Sequence, residues 1–224
     1  MVKAIVFDFD GVIIDSEKVR YDAWQAVFSL YGQNLPLQEW IKNVGRASYV
    51  ADPHLMLEEL TGLKIASDEL HEKAKVFELD FVSTIPVLPG VLELIEDANA
   101  RNISIAVASS STRHWVEGHL RRLSIFNNFV TLVCREDTST HKPSPEPYLT
   151  AIKRLGCTPQ ESIAIEDSPL GILSAVNAGL KCIAVGCSIT KQLDLSNATF
   201  QFASLADFKL KSLFENSPEL LGIV

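Results

Sequence analysis

The chain has 224 residues, 47% of them hydrophobic and 21% charged, which suffices for a full core in one large domain or one domain carrying an insert. Its formal net charge of −8 and its pI near 5.1 argue against nucleic acid as the main partner, since phosphate backbones are held by basic surfaces. No apolar stretch approaches the roughly 18 residues of a membrane span, and the carboxylates that begin at Asp8 interrupt the start of the chain before a secretory signal is complete.

The run Ala4–Phe9 is short, apolar and closed by acids and Gly11, which reads as a buried strand followed by a turn. From Asp15 the rhythm changes. Val19, Ala23, Ala26, Val27 and Leu30 follow helical spacing, Leu55–Leu60 and Leu70–Val82 read as helices, and no convincing strand interrupts them. Residues 16–85 are therefore expected to form a helical insert, hinged near Asp15–Glu17 and returning through Thr84-Ile85-Pro86 and Leu88-Pro89-Gly90. Beyond it, strand-like runs at Ile103–Ala108, Phe129–Val133, Ser162–Ile165 and Cys182–Val185 alternate with helical patterns at Val91–Ala100, Thr112–Leu123, Pro147–Leu155 and Leu170–Ala178. Gly156 and Gly179 close two of those helices. The alternation predicts an α/β fold, a parallel sheet with helices on both faces, whose ligands sit at the carboxyl ends of the strands. The tail from Leu205 reads as a last short helix without recognisable chemistry.

The four cysteines (Cys134, Cys157, Cys182 and Cys187) have no C-x-x-C spacing, and Cys134 and Cys182 lie in apolar runs. Buried free thiols are the expectation, which suits a reducing cytoplasm.

Four motifs fall at or beyond strand ends. Asp8-Phe9-Asp10-Gly11 follows the first strand and, alone, is equally a turn or a helix cap. Ser109-Ser110-Ser111 precedes a helix, where hydroxyls cap and where the helix N-terminus attracts anions. Lys142 sits in Thr140-His141-Lys142-Pro143-Ser144-Pro145, a loop stiffened by prolines. Glu166-Asp167-Ser168 places two carboxylates before a helix, where they complement its dipole or hold Mg²⁺, a hard cation that prefers oxygen. All four motifs are expected to converge on one edge of the sheet.

Together the segments DFDGVIIDSE at 8–17, ASSS at 108–111, HKPSPEPY at 141–148 and EDSPLGILSA at 166–175 make the chain resemble the haloacid dehalogenase superfamily, in the subfamily with a helical cap that includes β-phosphoglucomutase and many sugar-phosphate and phosphoglycolate phosphatases. The resemblance implies a Rossmann-like core over 1–15 and 86–224, a cap over 16–85, and a central first strand flanked by those bearing the second and fourth motifs. It implies Asp8 as nucleophile and Asp10 as general acid and base. Mg²⁺ would be held by Asp8, by Asp167 and by the backbone carbonyl of Asp10, with Glu166 in the same shell or the next. Ser109 and Ser110 would contact the phosphoryl group and Lys142 would balance its charge. The expected activity is a Mg²⁺-dependent phosphatase acting on small phosphorylated, sugar-like metabolites, and the acid at Asp10 argues against carbon–halogen cleavage.

The alternatives are a phosphosugar mutase using the same aspartyl phosphate and a binding protein whose site has lost activity. β-Phosphoglucomutases place a cap histidine five residues after the hinge aspartate, where this chain has Arg20, so hydrolysis is favoured. In the cap, Arg46 is the foremost candidate for substrate contact, with Arg20, Lys73 and Lys75 behind it. Gly11 is assigned to the turn, Asp15 to capping the next helix, and His114 and His119 to solvated helix positions.

Overall fold

Six strands form one parallel sheet in the order β3-β2-β1-β4-β5-β6. They are β1 (Ala4–Phe7), β2 (Ser104–Ala108), β3 (Thr131–Val133), β4 (Ser162–Glu166), β5 (Lys181–Val185) and β6 (Phe200–Phe202). The structure is a computed structural model, and it describes residues 2–44 and 49–213. β1 is central, pairing with β2 on one side and β4 on the other, and strand order reverses between β1 and β4. Such a switch point opens a crevice beyond the carboxyl ends of the two strands.

The two faces of the sheet differ in bulk. Ile5, Phe7, Ile105, Val107, Ile163 and Ile165 pack with Val91, Leu94 and Ile95 of α5 (Val91–Ala100) and with Val116 and Leu120 of α6 (Arg113–Arg122). On the other face Val6, Ala106, Ala108, Ala164, Cys182 and Ala184 meet α7 (Glu146–Arg154) and α8 (Pro169–Asn177). The period of two along each strand separates these sets. Small side chains on the second face let α7 approach closely enough for the fully buried Tyr148 to reach the sheet.

Between β1 and α5 the described chain is helical: α1 (Ser16–Leu30), α2 (Leu37–Trp40), α3 (Pro53–Thr61) and α4 (Ser67–Val82). Trp24, Val27 and Phe28 of α1 pack on Leu57, Leu70 and Ala74 in a separate apolar cluster, which Cys187 and Ile189 join from the sheet side. The outgoing and returning chains are tied together, because Leu88 N donates to Ile13 O at 2.9 Å.

Three stretches differ from the sequence expectation. β6 is a three-residue edge strand, too short to announce itself, and α2 is a single turn following Pro36. The described part of the tail, to residue 213, forms two 3₁₀ turns, Leu205–Asp207 and Leu210–Leu213, where a short helix was expected. Cys134, Cys182 and Cys187 are buried, Cys157 is half-buried, and all four thiols are free. Gly156 and Gly179 have φ of 68° and 80°, the left-handed conformation expected just past a helix end. No helix among the described residues is long and apolar enough to cross a membrane.

Candidate active site

Asp8 leaves β1 with its N–H still bonded to Ile165 O at 2.9 Å, so its backbone is fixed across the switch point. The chain then turns at Gly11, whose φ is 84°. A Cβ at Gly11 would lie 1.8 Å from Oδ2 of Asp167, so glycine is required both by the turn and by the close approach of the fourth motif. The turn presents the Asp10 carboxylate to three donors: Ser16 Oγ at 2.6 Å, Ser111 Oγ at 2.5 Å and Trp115 Nε1 at 3.0 Å. Ser109 Oγ accepts from Ser111 N at 3.0 Å, and Thr112 caps α6 by accepting from Trp115 N at 3.4 Å.

Lys142 is buried and donates to Asp8 Oδ1 at 2.7 Å and to Glu166 Oε1 at 2.6 Å. Its loop is clamped from behind by Glu146, which accepts from Ser139 N at 3.0 Å and Thr140 N at 2.7 Å. Bonds from Thr140 and Ser139 hold that exposed carboxyl down to about 2. Glu166 is fully buried and takes a further bond from Tyr148 Oη at 2.7 Å. A Cβ at Gly171 would fall 2.0 Å from Glu166 Oε1, so the first turn of α8 can cover this carboxylate only with glycine there.

Burial pushes Asp8 up to about 8 against the pull of the Lys142 ammonium. Burial alone would discharge Lys142, but Asp8 and Glu166 outweigh it and hold the ammonium above its usual value. Burial, and then the charges of Asp8 and Glu166, raise Asp167 well above the carboxylate range. Three buried carboxylates thus face one lysine, and a divalent cation would relieve the excess. The donor set fits one. Asp8, Glu166 and Asp167 each offer an oxygen within 4.8 Å of the others, and Oδ2 of Asp167 is buried without a hydrogen-bond partner. An all-carboxylate shell suits Mg²⁺ better than a softer metal.

These residues floor a cavity of about 310 Å³ whose opposite wall comes from the helical segment, through Glu17, Arg20, Trp24, Asn43, Tyr49 and Glu78. Sequence reasoning brought Asp8, Asp10, Ser109, Ser110, Lys142 and Asp167 to this cavity, and all six line it. Glu166 lies just beneath, behind Lys142.

A family model described as haloacid dehalogenase-like hydrolase matches residues 5–185. The chain belongs to that family. Among curated relatives of this hydrolase, YhcW of Bacillus subtilis, named as a candidate phosphatase, is 35% identical over 216 residues, covering 96% of this chain and 98% of the relative. A phosphorylated carbohydrates phosphatase of Thermotoga maritima is 30% identical over 184 residues, covering 81% of this chain and 84% of the relative. In structure the hydrolase superposes on a candidate β-phosphoglucomutase of Thermotoga maritima with a TM-score of 0.75 at 25% identity, over 92% of this chain and 96% of that one. Family and relatives together support an enzyme that hydrolyses phosphomonoesters.

Several expectations about the hydrolase's outer residues change. Arg46 lies outside the described residues. Lys73 and Lys75 pair with Glu69 and Glu72 on α4 and do not line the cavity, whereas Arg20 does. Asp15 caps α1 by accepting from Lys18 N at 3.2 Å, and its second oxygen accepts from Ser188 Oγ at 2.6 Å, tying the hinge to the loop after β5. His114 is exposed as expected, but His119 is half-buried and packs edge-on against Trp115, with ring centroids 4.4 Å apart. Tyr148, Gly171 and Trp115 were not singled out from sequence. The first two lie inside the quoted motifs, while Trp115 carries no signal beyond standing one helical turn after the serines.

Proposed function

We propose that this phosphomonoester hydrolase is a Mg²⁺-dependent phosphatase of sugar-like phosphates that works through an aspartyl phosphate on Asp8. The observation that carries the reading is the Asp8 carboxylate, paired with Lys142 at 2.7 Å and set beside the unpartnered Oδ2 of Asp167. Bringing one carboxylate charge to about 4 Å from a phosphate dianion is opposed by roughly 8 kcal/mol at an effective dielectric near 20. Lys142 offsets part of this. Mg²⁺ held by Asp8, Asp167 and the Asp10 carbonyl, with Glu166 beside them, would supply the remaining positive charge at the phosphoryl oxygens.

Ser109 and Ser110, at the mouth of the second loop, orient the phosphoryl group for attack by the carboxylate oxygen of Asp8. The Asp8 O–P bond forms as the P–O bond to the leaving group breaks, and Asp10 protonates the departing oxygen. Asp10 then takes a proton from water as the water oxygen bonds to phosphorus and the Asp8 O–P bond breaks, which restores the enzyme.

Residues 16–85 act as a cap over the substrate, with 1–15 and 86–224 as the catalytic core. The substrate is a small phosphorylated metabolite, with neither nucleic acid nor membrane as partner, and the free thiols suit a cytoplasmic enzyme. The test is phosphate release from p-nitrophenyl phosphate and a panel of sugar phosphates, with and without Mg²⁺, for the native chain and Asp8→Asn. Metal-dependent release that the variant lacks is expected, and equal release by the variant contradicts the reading.

A mutase is the less favoured reading. Arg20 stands between Glu17 and Glu78, 3.6 Å from each, and a guanidinium so placed does not exchange a proton with the hinge.

A further inference from the structure

The cap wall of the cavity is built for something the phosphoryl chemistry does not use. Glu17 is 7% exposed and lines the cavity, and no hydrogen bond reaches its carboxylate from any described residue. Arg20 approaches Glu17 and Glu78 only at 3.6 Å, beyond hydrogen-bond distance, so its donors are also uncommitted among the described residues. Beside them stand two aromatic rings, Trp24 and Tyr49, joined by a bond from Trp24 Nε1 to Tyr49 Oη at 3.0 Å. Trp40, 2% exposed and on the same wall, has a buried Nε1 with no partner. Among the described residues, two buried side-chain polar atoms lack a partner: Trp40 Nε1 on the cap wall and Asp167 Oδ2 at the proposed metal position. Groups left this way are costly unless a ligand satisfies them.

Resting on the phosphatase reading, we propose that Glu17, Arg20 and Glu78, with the Trp24–Tyr49 wall, form a subsite for a neutral polyhydroxylated leaving group and select against a substrate carrying a second anion. Two carboxylates accept from hydroxyls, the Arg20 guanidinium and the unpartnered Trp40 indole N–H donate to them, and the Trp24 and Tyr49 rings cover the C–H face of a polyol. The charge balance sets the selectivity. Two carboxylates against one guanidinium carry a net negative charge, which falls towards zero as Glu17 takes up a proton, so the trio never becomes a net cation. A carboxylate or second phosphate brought here would meet Glu17 and Glu78 at least as strongly as Arg20. Arg135 is the other guanidinium on the cavity wall among the described residues, and it lies on the exposed core rim with its Nε bonded to Ser110 O at 2.9 Å. Capture of a second phosphate by Arg135, or by Arg46, which lies outside the described residues, is the competing outcome.

The test ranks three phosphates: a hexose 6-phosphate, 2-phosphoglycolate and a hexose 1,6-bisphosphate. Turnover by the native chain is followed as kcat/KM, with p-nitrophenyl phosphate alongside to report the phosphatase reading itself. Binding is followed by calorimetric titration of Mg²⁺-loaded Asp8→Asn, which reads the subsite without chemistry. The hexose 6-phosphate is expected to lead both anionic competitors by about tenfold or more in each measurement. In Glu78→Gln the lead should shrink at least threefold, because the carboxylate that repels the second anion has been neutralised. A lead for the bisphosphate or phosphoglycolate, or a ranking unmoved in both Glu78→Gln and Glu17→Gln, overturns the subsite. Absence of p-nitrophenyl phosphate turnover beside the expected binding order would instead remove the phosphatase reading and leave the subsite standing.

Discussion

The indole Nε1 of Trp115 donates to Oδ1 of Asp10 at 3.0 Å, across 105 residues of sequence, so that helix α6 holds the side chain assigned to acid–base work. Ser16 Oγ shares that oxygen and Ser111 Oγ takes the other, which joins the first residue of α1, the second motif and α6 at one carboxylate. His119 packs edge-on against the same indole.

Trp115 is accordingly a positioning residue, and Trp115→Phe, which keeps an aromatic ring while removing the donor, probes that role. A hydrogen bond to a charged group contributes about 1.5–3 kcal/mol, so kcat should fall about ten- to a hundredfold with KM changed less than twofold. The melting temperature should stay close to the native value. Unchanged kcat, or a KM effect alone, contradicts the assignment.

Metal binding should be readable without catalysis. A cation bound by the folded state and not by the unfolded chain raises the melting temperature, and the shift grows with concentration. Magnesium should therefore stabilise the native chain and have little effect on Asp167→Asn, which loses the charge at the unpartnered Oδ2. Calcium, with more ligands in a looser shell, should replace magnesium poorly in turnover. An equal thermal shift in both proteins would place the metal elsewhere.

Glu17 gives a pH signature. Burial, opposed by Arg20, pushes its carboxyl from 4.5 up to about 7. The folded state then binds the proton more tightly than the unfolded chain, so stability is lost as pH rises from the unfolded value to about 7 and is level above that. The cost at pH 8 is on the order of 3 kcal/mol. Glu17→Gln removes this titration, and its stability relative to the native chain should rise between pH 5 and pH 8. A constant difference across that range would contradict the shift.

Much of this arrangement was legible in the sequence because it is local. Apolar runs closed by Asp8, Ser109 and Glu166 locate strand ends, and a parallel sheet brings such ends together whatever the intervening chain does. Gly11 was legible as a turn, but its second constraint, contact with Asp167, spans 156 positions and leaves no local pattern. The bond from Trp115 to Asp10 and the trio of Glu17, Arg20 and Glu78 depend on how α1, α4 and α6 pack, and period alone does not set that. His119 was misread although Trp115 stands four residues before it, a helical spacing that sets the two rings side by side. β6 was missed because three residues are too few to show alternation.

The central claim is that Asp8 becomes covalently phosphorylated, and chemical trapping tests it most directly. The Mg²⁺-loaded enzyme would be quenched during turnover of a hexose 6-phosphate and reduced with borohydride, which converts an acyl phosphate to an alcohol. Peptide mass spectrometry then reads which residue has changed. The account predicts homoserine at position 8, dependent on substrate and absent from Asp8→Asn. Turnover with Asp8 unmodified, or with the reduced residue at another carboxylate, would contradict it.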